Sequence, residues 1–449
     1  MNGAGSVGAS AAAAAGKSVD VVVVGAGPAG ITAAIGAARR GRKVALLEKA
    51  ARPGVKILIS GGNRCNLTHD CDAATIAKAF GRTGGRFLGH ALRELGPREL
   101  KAWIESLGVA TKVEPGGKVF PVSDRAVEVR DALERELGRV GVEFVASAAV
   151  ERVERETLQG EGAAPTQEFV VTTVHGTWRA PRLVLALGGR SYPKIGTVGD
   201  GYALARALGH AVTPTTPALV PLVAPAAWVR ELSGVTLEDV AIAIAERGAE
   251  RVRGALLFTH FGLSGPAPMN LGGEVARRLA GEAGGAVERV DGATRVIVSV
   301  DFLPGEQRAV LDARFAAAAQ AAQAEGDTRL VRTALTKLLP RRVAEMLCEQ
   351  ANLAPALAVR QFGAAARGRL LDALFATRIA VVGTRGYDFA EVTRGGVALA
   401  EVDPATLRSR LVPGLFLVGE LLDLDGPIGG YNFTAAFATG ALAGRSAGE

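Results

Sequence analysis

Val21-Val22-Val23-Val24-Gly25-Ala26-Gly27-Pro28-Ala29-Gly30 is the stretch that decides the fold. Four consecutive β-branched residues read as a strand buried on both faces, as in a parallel sheet. A G-x-G-x-x-G pattern is weak alone and gains meaning where it leaves such a strand and opens a helix. Here Ile31 to Arg40 is Ala-rich and helix-prone, and Gly41 stops it. Lys43 to Glu48 is a second buried strand, which gives the start of a βαβ unit. In that frame Gly25 allows the tight turn, Gly27 lets backbone approach a pyrophosphate, and Gly30 lets the helix pack on the strand. The first helical turn, which opens at Pro28 and Ala29, adds free N–H groups from Ala29 onward and the positive end of the helix dipole. Glu48 ends the second strand, 18 residues after Gly30, where a carboxylate accepts from adenosine ribose hydroxyls and repels a 2′-phosphate.

Two more glycine-ended strands return far along the chain. Leu183 to Leu187, through Ala186, ends at Gly188-Gly189, and Leu415 to Val418 ends at Gly419-Glu420. A nicotinamide dehydrogenase would instead continue with alternating strands and helices. In this order the three segments resemble the separated signatures of two-dinucleotide-binding flavoproteins, which makes FAD the expected cofactor.

Between these anchors, residues 51–90 are glycine-rich and read as an irregular ligand-lining loop. Residues 91–108 and 123–140 read as amphipathic helices, 142–150 as a strand, 160–177 as a polar hairpin, and 200–208 as a helix. Pro214, Pro217, Pro221 and Pro225 come in quick succession and suggest a domain crossing. Residues 235–260 and 294–303 look like strands, 307–374 is helical, β character returns at 378–383, and Tyr431 to Gly444 closes the chain as a helix. The expected architecture is α/β: a discontinuous Rossmann-type FAD-binding domain with an inserted β-barrel-like plus helical region. A disordered tail (1–17) leads into the first segment of the FAD-binding domain (18–213). The inserted substrate domain (214–377) follows, and the second FAD-binding segment (378–449) completes the chain.

Composition excludes several alternatives. With 48% hydrophobic and 22% charged residues over 449 positions, the chain is an ordinary globular sequence. Its net charge of +7 is spread along the chain without a basic arm. Three cysteines, Cys65, Cys71 and Cys348, argue against a disulfide framework and fit a reducing, cytoplasmic setting. Only His69 lies near the first two, so no metal site is expected. No apolar run reaches the roughly 20 residues that span a bilayer, so no membrane partner is expected.

Three longer stretches narrow the resemblance. Lys56-Ile57-Leu58-Ile59-Ser60-Gly61-Gly62-Asn63-Arg64-Cys65-Asn66-Leu67-Thr68 resembles the K-L-L-I-S-G-G-G-R-C-N-x-T loop of the HI0933-like flavoproteins. That family is also called YhiN-like or BaiN-like, and some members carry the label aminoacetone oxidase family. Phe258-Thr259-His260-Phe261-Gly262-Leu263-Ser264-Gly265-Pro266-Ala267 resembles its F-T-H-x-G-x-S-G-P-A. Val392 to Val397, Gly419-Glu420 through Asp425-Gly426, and Gly429-Gly430-Tyr431-Asn432 resemble its C-terminal signature. Asn63 stands where the family more often has glycine, and a changed local turn is expected there.

The resemblance implies an FAD-binding Rossmann domain, a β-barrel-like insert and a helical piece. For the cofactor it implies contacts from Gly25, Gly27, Pro28, Ala29, Gly30, Glu48, Lys49, Lys56, Gly61, Arg64, Cys65, Asn66, Val150, Ala186, Gly188, Gly189, Gly419, Glu420, Gly430, Asn432 and Phe433. Arg64 and Asn66 are read as polar contacts to the pyrophosphate and ribityl chain, and Glu420 as a contact to ribityl hydroxyls. Cys65 is read as a packed thiol beside the cofactor. The Gly429-Gly430 turn would aim helix N–H groups at the flavin pyrimidine edge.

For catalysis the candidates are His260, Tyr192 and Tyr431, each able to protonate a substrate as hydride leaves the flavin. The expected activity is an FAD-dependent oxidoreductase, linked to NADH or NADPH, acting on a small organic substrate such as a conjugated enone or ketone. A second G-x-G-x-x-G behind a buried strand is missing, so the nicotinamide would dock transiently. The alternatives are a tRNA-associated flavoprotein, or a flavin oxidase or dehydrogenase of an organic amine or ketone. An RNA partner is disfavoured because aromatics, which stack on splayed bases, make up 5% of the chain.

Overall fold

The computed structural model describes residues 16–158, 166–282, 287–290 and 293–449. The chain divides into two compact units: one takes residues up to Gly189, Lys194–Pro214 and Gly395–Glu449, the other Arg190–Pro193 and Thr215–Arg394.

The first unit is built on a five-stranded parallel sheet. Its strands lie in the order Leu415–Leu417, Arg182–Leu185, Val21–Val24, Val44–Leu47, Glu143–Val145. Every neighbouring pair is parallel. Val21 to Val24 are at most 3% exposed, and each buried valine side chain contributes about 1.5–3 kcal/mol. The phosphate-loop helix, Pro28–Ala38, and the closing helix, Tyr431–Gly448, pack against each other through glycine. A Cβ on Gly444 would stand 2.5 Å from the Ala33 carbonyl oxygen, one on Gly440 would strike that of Ala29, and one on Gly448 would meet Arg40. The two helices therefore run side by side in the same direction with their backbones in contact.

Two sequence expectations change in this unit. Residues 51–90 are not one irregular loop but carry the helices Val55–Ile59 and Ala73–Ala79 and most of Gly81–Glu94. Asp72 caps the second of these by accepting from the Thr75 N–H at 2.8 Å. Phe87, Leu88, Ala91 and Leu92 recur at helical spacing on the buried side of the third. Two of its glycines serve close packing rather than turning: a Cβ on Gly84 would stand 3.1 Å from the side chains of Leu424 and Phe80, and one on Gly85 would strike the Ala77 carbonyl oxygen. The expected tail is also corrected at Lys17, because Lys17–Ser18 already forms a strand parallel to Gly176–Ala180. Lys17 pairs with Glu143 at 2.7 Å; residues 1–15 of the expected tail, and 159–165 of the expected hairpin, lie outside the described residues.

The second unit carries a curled antiparallel sheet of eight strands, with the helix Pro266–Leu279 and a helical region from Arg308 to Ala376. Its end differs from the expected boundary at 377. Thr377–Val381 pairs antiparallel with Ala293–Asp301, and Gly383–Thr384 with Leu222–Val223, so both belong to this sheet and the unit continues to Arg394. A short β run gives no sign in sequence of which sheet it will join. Among the described residues no helix is long and apolar enough to cross a membrane.

Candidate functional site

The phosphate loop is shaped by three glycines in three ways. Gly25 has φ +97°, and a Cβ there would stand 2.6 Å from the Ala186 carbonyl oxygen. A Cβ on Gly30 would stand 3.0 Å from the Gly25 carbonyl carbon and strike its oxygen, which fixes helix against strand. Gly27 is extended (φ −76°), and a Cβ there would meet nothing within 4 Å. The space before Gly27 is the cradle a diphosphate needs, because the first-turn N–H groups of the helix have no intrahelical acceptor. The residues present therefore fit the dinucleotide.

Glu48 is held by the backbone around it. One carboxylate oxygen accepts from the Ala26 N–H at 2.6 Å and the other from the Ala50 N–H at 2.9 Å. Its carbonyl accepts from the Ala148 N–H at 2.8 Å, which brings residues 147–150, and Val150 with them, alongside. Ionised oxygens retain further lone pairs for ribose hydroxyls. Lys49 pairs instead with Asp200 at 2.5 Å. The Ala186 N–H donates to the Val24 carbonyl at 2.9 Å, setting the end of the Leu183 strand beside the loop. Gly188 and Gly419 both have positive φ, +75° and +68°, and a Cβ on Gly419 would crowd Ala29 at 2.9 Å.

A second locus forms where two distant motifs meet. Gly430, φ +90°, caps the closing helix, and a Cβ there would stand 2.5 Å from the Thr68 carbonyl. With its amide oriented as its neighbours require, Asn66 accepts from the Gly430 N–H and donates to the Thr68 carbonyl, both at 3.1 Å. The Thr434 hydroxyl donates to the Gly430 carbonyl at 2.9 Å and accepts from the Thr68 hydroxyl at 2.7 Å. His69 stacks on Tyr431, with centroids 5.0 Å apart, and its Nδ1 donates to the Gly429 carbonyl at 3.3 Å. The 66–69 segment thus packs against the Gly429-Gly430 cap of the closing helix. Sequence reasoning identifies the motif up to Thr68 as a cofactor loop and misses His69, the next residue on, which carries no signal of its own.

Several expected contacts are committed to protein groups. Arg64 is paired with Glu114 and, at 2.8 Å, with Asp124, and its guanidinium lies 4.1 Å from the Phe120 centroid. Lys56 and Glu420 pair with each other. Asn432 stands in the first turn but staples its own loop, accepting from the Gly426 N–H and donating to the Gly426 carbonyl, both at 2.8 Å. Phe433 packs against Phe437 with centroids 6.3 Å apart. Gly61 and Asn63 have φ +55° and +67°, so asparagine, which tolerates this region, keeps the turn expected of glycine. Burial pushes the Cys65 thiol up to about 12, which leaves it inert at neutral pH.

The three proton-donor candidates divide between the units. Tyr431 belongs to the first; burial, with Cys71 nearby, holds its phenol above the usual tyrosine range. Tyr192 and His260 belong to the second. Burial and then Glu391 raise Tyr192 in the same direction, and its N–H donates to the Tyr387 carbonyl at 3.0 Å. His260 is exposed at the tip of the Thr259–Gly262 turn, edge-on to Phe261 at 5.1 Å. Among the described residues no group of three His, Cys, Asp or Glu side chains is placed to hold a metal ion.

The family model of the HI0933-like protein Rossmann domain matches residues 19–446, and the chain belongs to this family of FAD-binding oxidoreductases. It is 33% identical over 437 residues to a 3-dehydro-bile acid delta(4,6)-reductase of Clostridium scindens, covering 95% of this chain and 98% of the relative. It is 30% identical over 421 residues to a ribosomal RNA dihydrouridine synthase of Escherichia coli, covering 94% and 96%. A 3-ketosteroid delta1-dehydrogenase from Sterolibacterium denitrificans, solved with 1,4-androstadiene-3,17-dione, shares the fold. Its TM-score is 0.50 at 13% identity, over 96% of this chain and 99% of that one.

Proposed function

We propose that this HI0933-like protein is an FAD-dependent reductase, fed by NADH or NADPH, that saturates a carbon–carbon double bond conjugated to a carbonyl. The observation that carries the reading is the staggered pair of helix N-termini. Gly440 lies against Ala29, so eight residues of the closing helix, or roughly 12 Å at 1.5 Å per residue, extend beyond the phosphate-loop helix. One positive helix end suits a diphosphate; the other, displaced along the same axis, suits the negative charge that gathers at a reduced pyrimidine edge.

When bound, FAD supplies hydride transfer between the nicotinamide donor and the alkene carbon β to the carbonyl. The N–H groups of Ala29 and Gly30 would take the diphosphate, and Glu48, fixed by Ala26 and Ala50, would accept from the ribose hydroxyls. Glu420, steadied by Lys56, would meet the ribityl chain. Tyr431 keeps its proton on Oη through neutral pH and would deliver it to the carbon α to the carbonyl. Tyr192 and His260 are the alternative donors. The names of the two relatives support this chemistry, because a 3-keto steroid diene and the uracil ring both present an alkene conjugated to a carbonyl.

A second reading takes the substrate to be a uracil within RNA. It is supported by two relatives named ribosomal RNA dihydrouridine synthase, at 30% and 26% identity, and by paired arginines and rings on the second unit. One experiment serves both readings. Purified yellow protein is mixed anaerobically with NADH and then NADPH, and the reduced form is challenged with a steroid-like enone acid and with uridine-containing RNA. The proposal expects bleaching by one donor and recovery of colour with one acceptor. FAD-loaded protein that neither donor bleaches, and that is bleached only by an organic amine or ketone, would instead be a dehydrogenase.

A further inference from the structure

Two guanidinium groups of the second unit lie over aromatic rings. Arg385 lies 4.4 Å from the Phe261 centroid and 3.9 Å from that of Phe389, and Arg190 lies 4.5 Å from that of Tyr387. Arg190 also donates to the Thr215 hydroxyl at 3.2 Å. Arg190 and His260 are exposed, and Phe389 is 44% exposed. Among the described residues neither arginine forms an ion pair, although the loop also carries Asp388 and Glu391. Most other arginines near a carboxylate are neutralised by it, as Arg253 is by Asp239 at 2.6 Å.

We infer that this patch, Arg190, Tyr387, Phe261, Arg385 and Phe389, binds single-stranded RNA; the inference rests on the uracil reading above. A guanidinium stacked on a ring keeps its in-plane N–H donors for a phosphate, while the outer ring face remains for a base. The arrangement occurs twice within a few residues, as Arg190 on Tyr387 and Arg385 on Phe389. A polynucleotide repeats phosphate and base in the same way, whereas a small enone acid has one anionic end. Reduction of a uracil also needs the base splayed out of its stack, and unstacked bases are received on aromatic and guanidinium planes. The 5% aromatic content that disfavours RNA in the sequence is an average, and this loop concentrates its rings locally.

The test is fluorescence anisotropy of a labelled, U-rich single-stranded RNA with the FAD-loaded full chain, over a salt series. R190A and R385A should each weaken binding and lower the salt slope by about one. F389A should weaken binding roughly tenfold with the slope unchanged. R385K, which keeps the charge but not the plane, should weaken binding while keeping the slope, and it guards against a misfolded alanine variant. R314A, on an exposed helix, should bind as the parent does. If the parent binds RNA and R190A, R385A and F389A bind equally well, the patch is the wrong surface while the uracil reading stands. If the parent binds no RNA at any salt but reduces an enone acid, the uracil reading falls and this inference with it.

Discussion

Gly27→Ala and Gly30→Ala separate cofactor binding from folding. At Gly27 the backbone is extended and the added methyl meets nothing within 4 Å, so no steric cost arises in the apoprotein. Alanine is a poorer N-cap than glycine by about 0.5–1 kcal/mol, and it lowers the entropy of the unfolded chain by about 0.4–1 kcal/mol, so the two nearly cancel. The same methyl fills the cradle where phosphate oxygens would approach the N–H groups at about 2.9 Å. Weakening one charge-assisted bond costs about 1.5–3 kcal/mol, or roughly a 10–100-fold loss of FAD affinity. At Gly30 the methyl is driven into the Gly25 carbonyl, where no rotamer relieves it. Overpacking costs about 1–3 kcal/mol, and the apoprotein should melt roughly 5 °C lower. Apoprotein melting and FAD titration by flavin fluorescence read the two effects apart. An apo Gly27→Ala that melts as low as Gly30→Ala, or that binds FAD within about threefold of the parent, would refute the reasoning.

Tyr431→Phe should leave FAD binding intact and lower kcat by about 10²–10⁴-fold if the phenol is the acid. Because burial raises its pKa, the alkaline limb of the parent pH–rate profile should lie above the ordinary tyrosine range, and stopped-flow reduction across pH 7–11 checks this. Thiol labelling of the native protein should modify half-buried Cys71 before Cys65, whose thiol is pushed to about 12; mass spectrometry that finds Cys65 labelled first would contradict its burial. Glu136, 3% exposed, is held below its usual range by hydrogen bonds from Arg139 and Arg39. Its stabilisation is therefore present above the ordinary carboxylate pKa and is lost as pH falls through the lower folded value. Glu136→Gln should cost about 1–3 kcal/mol at neutral pH, and the gap to the parent in denaturant melts should close in acid.

The parallel sheet is legible because its signals are local. Val21 to Val24, Leu183 to Leu185 and Leu415 to Leu417 are short apolar runs ended by glycine, and burial on both faces leaves no other reading. Residues 81–94 mislead for the opposite reason: glycine has one local meaning, turning, and a second, close packing, that depends on a partner elsewhere. Gly84 faces Leu424, more than three hundred residues away, so nothing near it in sequence reveals a helix. The strand at 377–381 is visible as a strand, yet its partner at 293–301 is not, and that pairing is what places it in the second unit.

The candidate site shows the same division. The glycines at 25, 27 and 30 act first on their own loop, so their roles can be read directly, although Gly25 also makes room for the distant Ala186 carbonyl. Arg64, Lys56 and Asn432 read as cofactor contacts because polar residues in a glycine-rich motif invite that reading, but each has a carboxylate or backbone partner whose position depends on the fold. These partnered side chains shape the loops that bear the open backbone N–H groups. Bonds from Asn432 to Gly426 and from Asn66 to Gly430 hold the two sides of the 426–432 turn, and His69 fixes Gly429 from below. A helix N-terminus stabilises charge only when it is fixed before the charge arrives. On this reasoning Asn66, among the motif residues best matched to the family, acts one step removed from the cofactor, and Asn66→Ala should weaken flavin binding without loss of the parent fold, which flavin titration alongside apoprotein melting checks.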